Sequence, residues 1–195
     1  LREPHAVPHV ENPQKPNFVL GSEDDLRTLI PRIEAAAASY KNPKDGRKLR
    51  SDAHVLLAGV ASYPREAAEN NPANYEKWKA KTVDFLREKY GDKLFSVVEH
   101  LDESHPHIHF YAVDFENLNA KMLHDGHLAA AKLPQLSKEA GLAFKGAMRE
   151  YQSSFYEKVG AQVGLTRVGP HRKRLTRDEW NAQKTEAKEL AKAYE

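Results

Sequence analysis

The sequence predicts an α+β fold: an antiparallel β-sheet carrying a central His-x-His hairpin and flanked by α-helices. Three observations lead there. From Val97 to Val113 the chain reads as two apolar strands joined by a tight acidic turn. Pro72 to Tyr90 has amphipathic helical spacing, with Tyr75, Trp78, Thr82, Phe85, Leu86 and Lys89 marking it and Gly91 as its stop. The order strand, long helix, hairpin suits helices covering one face of an antiparallel sheet.

Taken in order, Leu1 to Gly21 holds Pro4, Pro8, Pro13 and Pro16 and few apolar residues, so it is expected to run extended over something else. Ser22 caps a helix whose first turn, Glu23-Asp24-Asp25, complements the positive end of the dipole. Leu26, Leu29, Ile30 and Ile33 form its stripe, Pro31 is a candidate kink, and Ala35 to Ala38 carry it to about Tyr40. Lys41, Lys44, Arg47, Lys48 and Arg50 then lie in a loop marked by Pro43 and Asp45-Gly46. Beside a metal site such a loop is a candidate phosphate clamp, because neutralised backbone charge supplies most sequence-independent affinity for DNA.

Ala53 to Ala61 is short, apolar and partly β-branched, a central strand with His54 as a structural residue at its start. Lys93 to Glu99 and Ile108 to Phe115 are the hairpin strands. Lys121-Met122-Leu123 is expected to extend the sheet, with His124 and His127 on the surface nearby. Leu133 to Val159 reads as a long helix with Leu136, Ala140, Phe144, Ala147, Met148, Tyr151 and Phe155 on one stripe, broken by Gly160 and Gly164. Arg167, His171, Arg172, Lys173, Arg174 and Arg177 form a second and denser basic cluster, favoured as a DNA contact. Thr176-x-x-Glu179 has capping-box form and starts a charged helix whose polarity argues against a place in the core.

At 195 residues the chain suffices for one domain with a real core, and a net charge of +2 proves no nucleic-acid partner without clustering. Zero cysteines exclude disulfides and thiolate-bound zinc, leaving histidine and carboxylate as metal ligands. The first residue is not Met, so a fragment is expected; no run has membrane-span length, and a soluble cytoplasmic protein is the default expectation.

The chemistry concentrates around the acidic turn. On a strand His107 and His109 project the same way while Ile108 points to the core, and Pro106 favours a turn just before them. If the strands pair, His100 lies beside them. A lone strand histidine is usually ordinary; three neutral imidazoles that converge leave coordination positions open, as catalytic metal sites do. His105 is assigned to the turn and left out of the set. Imidazole ligation suits Mn, Zn, Co or Ni without choosing among them.

The run His100-Leu101-Asp102-Glu103-Ser104-His105-Pro106-His107-Ile108-His109 resembles the third motif, H-x-D-E-x-x-P-H-x-H, of the MobV-type (Mob/Pre) plasmid mobilisation relaxases of the HUH endonuclease superfamily. Every fixed position of that motif is present, and the similarity continues through Val113 to Asn117, Phe85 to Gly91 and Arg50 to Val55. Arg2 matches the arginine of the family's first motif, H-N-x-R, whose nucleophilic His is expected just upstream of Leu1. Asn17-Phe18 resembles the second motif, N-Y-[DE], with Val19 at the acidic position. The resemblance implies that His100, His107 and His109 hold a divalent metal, Mn²⁺ favoured and Mg²⁺, Zn²⁺, Co²⁺ or Ni²⁺ the alternatives. It gives Glu103 an orienting role and Arg2 a contact to phosphate or nucleophile.

The implied activity is nicking and rejoining of one strand of a bacterial plasmid's transfer origin through a covalent 5′-phosphoryl protein–DNA intermediate. Single-stranded or hairpin DNA would be the partner. Residues 1–175 would be the catalytic domain, truncated at its N-terminus. Residues 176–195 would lead to a missing C-terminal region, through which a homodimer is expected. The rivals are a water-using metal phosphohydrolase, a non-enzymatic DNA-binding regulator, and a rolling-circle initiator or transposase of the same superfamily. The last would use a tyrosine such as Tyr40, Tyr63, Tyr75 or Tyr90.

Overall fold

The computed structural model describes Val10, residues 13–168 and residues 175–194. In chain order the elements are β1 (Asn17–Leu20), α1 (Glu23–Ser39), β2 (Leu56–Ser62), α2 (Arg65–Asn70), α3 (Pro72–Tyr90), β3 (Leu94–His100), β4 (His107–Val113), α4 (Asp125–Ala130), α5 (Lys138–Phe155) and α6 (Arg177–Lys192). The strands form one antiparallel sheet in the order β1-β3-β4-β2. The expected α+β architecture is therefore present, with the His-bearing hairpin at its centre.

Strand alternation divides the apolar residues between two faces. Val97, Ile108, Phe110 and Ala112 face α3, where they meet Tyr75, Trp78, Phe85 and Leu86. Trp78 is fully buried, and its ring packs 5.2 Å from that of Tyr63 and 5.7 Å from that of Tyr75. A second, smaller cluster covers part of the other face: Leu29 and Ile33 of α1 pack with Val113, Phe95 and Tyr111. Helices thus lie on both faces rather than on one, and at the His-bearing end of the second face Val98, His100 and His107 are themselves buried.

Helix starts follow their caps. Ser22, Asn71 and Ser137 each accept a hydrogen bond from a backbone N–H in the first turn of α1, α3 and α5. The Thr176–Glu179 capping box is formed in both directions. Pro31 is accommodated inside α1, and Ile30, expected on its stripe, is 54% exposed.

Several expected elements differ. β2 begins at Leu56 rather than Ala53. Lys121-Met122-Leu123 lies in a 3₁₀ turn, Ala120–Leu123, that leads into α4 instead of extending the sheet. Its local cause is Asn119, whose side chain accepts the Lys121 N–H and offers the backbone a turn in place of a ladder. The long helix begins at Lys138, not Leu133, because Ser137 caps it and Leu136 adopts φ 61° with its side chain in solvent. After Phe155 the chain passes through a π-type turn, Tyr156–Gly160, and a 3₁₀ turn ending at left-handed Gly164.

The charged C-terminal helix also departs from expectation. α6 buries Ala187 and Ala191, and a Cβ on Gly164 would stand 3.5 Å from the Lys188 Cα. Its contact stripe is built from alanine, too small to register as an apolar face in a polar sequence.

Gly59 is paired with Phe110, and a Cβ there would lie 2.3 Å from that ring, which is itself stacked on Tyr90 at 5.5 Å. Gly59→Val should therefore cost about 1–3 kcal/mol through overpacking, read as a lower urea midpoint at unchanged m-value. An unaltered midpoint would mean that Phe110 swings aside freely.

Candidate metal centre

Register and alternation build the site. His100 pairs with His107 across β3 and β4, and Val98 pairs with His109. Opposed residues, and residues two apart, share a sheet face, so the three histidines stand together on the face away from α3. Their ring centroids are 5.2 Å apart for His100 and His107, 5.0 Å for His100 and His109, and 4.9 Å for His107 and His109. Alongside, β2 sets Ser62 opposite His107 and Val60 opposite His109, and Val60 is 56% exposed.

The His107 tautomer follows from its neighbour. Nδ1 lies 2.9 Å from the His105 carbonyl, which can only accept, so Nδ1 carries the proton and Nε2 presents a lone pair. That Nε2 is 3.1 Å from Nε2 of His109. Two nitrogens bound to one ion at about 2.1 Å stand roughly 3.0–3.4 Å apart for bond angles between 90° and tetrahedral. His107 and His109 therefore fit adjacent positions on a divalent ion. Among the described residues no three histidine or acidic donors already surround one point. His100 supplies the third ring of the cluster, within 7° of parallel to His107.

The acidic turn sits over this cluster. Glu103 Oε2 is 3.8 Å from His107 Nε2, and Asp102 Oδ1 is 4.0 Å from His100 Nδ1. Asp102 also accepts the Gln14 backbone N–H at 3.2 Å. Because β1 runs antiparallel to β3, the chain preceding Asn17 passes along the His100 end of the sheet. Arg65, which no motif marks, donates to the carbonyls of Leu101, Glu103 and Ser104.

Behind the histidines, on the core face, Glu99 is 3% exposed. It accepts from the Tyr75 hydroxyl at 2.6 Å, the Asn17 amide at 3.0 Å and the Lys79 ammonium at 3.0 Å. Burial pushes its carboxyl up, but the three donors outweigh burial and hold it below its ordinary value. The signal for Glu99 was a charge at a core-facing strand position between Val97 and Ile108; Asn17, left with little support by Val19, earns a contact here. At the opposite end of β4, Asp114 accepts from Lys93 and from the Asn117 side chain and backbone. There too burial pushes upward and the donors prevail, holding the carboxyl down at about 2.

The other sequence candidates lie elsewhere. Lys41, Lys44, Arg47, Lys48 and Arg50 precede Leu56, which pairs with Val113, whereas His107 pairs with Ser62 at the far end of β2. Six residues of strand separate those ends, roughly 20 Å, so the loop is not beside the histidines. Arg50 forks onto Asp52 with two bonds of 2.8 Å, and Arg47 is 3.6 Å from Asp45. Arg167 faces the Arg149 carbonyl at 3.4 Å and Ser153 Oγ at 3.3 Å. Arg2, Arg172, Lys173 and Arg174 lie outside the described residues. His124 and His127 flank Phe144, ring centroids 5.4 and 5.3 Å away, apart from the triad.

Tyr63, Tyr75 and Tyr90 are core residues on the α3 side of the sheet, and burial pushes the Tyr75 phenol up, helped by Glu99. Tyr40 lines a cavity of about 440 Å³ beside the basic loop. None of the four reaches the histidines.

Fold and site together define an α+β domain that carries a histidine cluster, with acidic neighbours, at one end of an antiparallel sheet. Residues 31–182, from within α1 to the second turn of α6, match the Mob/Pre family profile, described as plasmid recombination enzyme; the chain belongs to that family. No curated protein and no solved structure matches it. Among the described residues no helix is long and apolar enough to cross a membrane.

A depressed carboxylate stabilises the fold above its unfolded value and loses that contribution as pH falls through the folded one. For Glu99 the ordinary value is 4.5, so stability should decline as pH drops below about 4.5. Glu99→Gln should lower the urea midpoint at pH 7 and flatten that acid decline. Parallel midpoint-against-pH curves for the two proteins would show that Glu99 is not depressed.

Proposed function

We propose that this protein is a metal-dependent relaxase: it nicks and rejoins one DNA strand at a plasmid transfer origin, through a covalent 5′-phosphoryl protein–DNA intermediate, for conjugative mobilisation. The observation that carries the reading is the His107–His109 pair, whose Nε2 atoms are 3.1 Å apart, with His100 in ring contact.

His100, His107 and His109 would hold a divalent ion, Mn²⁺ by family resemblance. When bound, such an ion polarises a phosphodiester and stabilises the charge that develops on its oxygens. The chain's own residues prepare the site. The His105 carbonyl keeps the proton of His107 on Nδ1, so that Nε2 faces the ligand position. Glu103, whose Oε2 is 3.8 Å from that nitrogen, would orient a histidine of the site through a donor N–H, or a water.

The nucleophile that the family resemblance implies is a histidine N-terminal to Leu1. Two contacts support its delivery: the Gln14 N–H on Asp102 and the Asn17 amide on Glu99 direct the upstream chain past His100. Attack by a side chain forms a protein–phosphorus bond and breaks the bond to the 3′ oxygen, which leaves as a hydroxyl and can attack again to reseal the strand. The buried positions of Tyr63, Tyr75 and Tyr90 favour this histidine over a tyrosine nucleophile. The basic loop, roughly 20 Å along the sheet, would contact DNA that flanks the nick rather than the scissile phosphate.

The test uses protein extended upstream to include that histidine, with labelled single-stranded origin DNA and Mn²⁺. A denaturation-resistant protein–DNA adduct should form, vanish without metal, and fall at least 100-fold in His107→Ala. Cleavage without an adduct would point to a water-using phosphohydrolase, and binding without cleavage to a regulator.

A further inference from the structure

The acidic turn between β3 and β4 poses an electrostatic problem. Leu101, Glu103 and Ser104 direct their carbonyl oxygens toward one region, and the same turn carries the carboxylates of Asp102 and Glu103. Carbonyl dipoles that converge repel one another unless a cation lies among them. The Arg65 guanidinium is that cation. Its Nε donates to the Ser104 carbonyl at 3.0 Å, and its Nη2 donates to the Leu101 carbonyl at 3.0 Å and to that of Glu103.

Arg65 is the first residue of α2, where a positive charge opposes the helix dipole, and its one partner within the helix is the exposed Glu69 carboxylate, 3.8 Å from Nη1, a pair of small worth. Its backbone is tied to the same turn: the Tyr63 N–H donates to the Pro106 carbonyl at 2.9 Å, continuing the β2–β4 ladder past Ser62. The turn is therefore fixed from outside the hairpin. The Tyr63 N–H holds the Pro106 carbonyl and the Gln14 N–H holds the Asp102 carboxylate, while the carbonyls of Leu101, Glu103 and Ser104 are all gathered by one planar fork that a lysine cannot reproduce.

We propose that Arg65 is a positioning residue of the metal centre: by gathering the 101–104 carbonyls it holds the hairpin closed at the His100–His107 pair and sets Glu103 beside His107. The inference rests on the metal-centre reading above. His100 and His107 are the last registered pair before the turn, so they separate first if the turn opens. Without the fork, the third ligand must be ordered at the moment of binding, and affinity falls by that ordering cost.

The experiment is a cobalt(II) titration of the full chain, followed by visible d–d absorption, with thermal midpoints recorded in parallel. Arg27→Ala, which removes an exposed pair on α1, serves as the surface-charge control. Arg65→Ala should weaken cobalt binding by about 10- to 100-fold, the range for residues that orient metal ligands. Its far-UV spectrum should stay native. Arg65→Lys should recover only part of the affinity, since one ammonium cannot span three carbonyls; it also carries the test if the alanine variant fails to fold. Arg65→Ala or Arg65→Lys binding cobalt within twofold of wild type would overturn the proposal. A wild-type chain that takes up no cobalt would instead overturn the metal centre, and this inference with it.

Discussion

The structure depends on one constraint, the register of the β3–β4 hairpin. With His100 opposite His107 and Val98 opposite His109, the three imidazoles share a face and Ile108, Phe110 and Val97 share the other. A slip of one residue would send the histidines into the aromatic core and the core residues into water. The register is therefore held by the same hydrophobic burial that holds the domain together. The site inherits its precision from the core rather than from interactions among the histidines.

Buried polar groups refine what burial alone leaves loose. Glu99 carries its charge onto the core face and ties three elements together: β1 through Asn17, and α3 through Tyr75 and Lys79. A carboxylate in that position would be costly unpaired, and its three donors offset the cost while making one arrangement of β1 much better than others. Arg65 plays the corresponding part at the turn, and Asp114 at the opposite end of β4. Each of these lies at a place where a strand ends or an edge strand docks, where the ladder by itself gives least definition.

Among the described residues, the acidic turn and the basic loop stand at different ends of the sheet. Acidic side chains surround the histidines, and the described basic loop lies at the other end of β2. Part of the positive charge is also already committed within the protein, Arg50 to Asp52 and Arg167 toward α5. Counting basic residues in sequence overstates what is available to a nucleic acid for that reason.

How much of this was legible in sequence depends on the range of the interaction. Period-two alternation around His107-Ile108-His109, the spacing of α3 and the caps at Ser22 and Thr176 are local, and each predicted its element. Leu136 and Lys121–Leu123 misled because left-handed backbone and Asn119 capping override propensity within a few residues. α6 misled because its buried contact is made by two alanines. Sequence by itself determined the α+β class, the family and the histidine pattern, since strand periodicity and motif spacing are written along the chain. Only the tertiary structure decided that the basic loop lies far from the site, that α1 packs on the Tyr111–Val113 end of the histidine-bearing face, and that Glu99 and Arg65 anchor the hairpin. Those facts arise from contacts between residues roughly 20 to 80 positions apart, and no local pattern encodes such pairings.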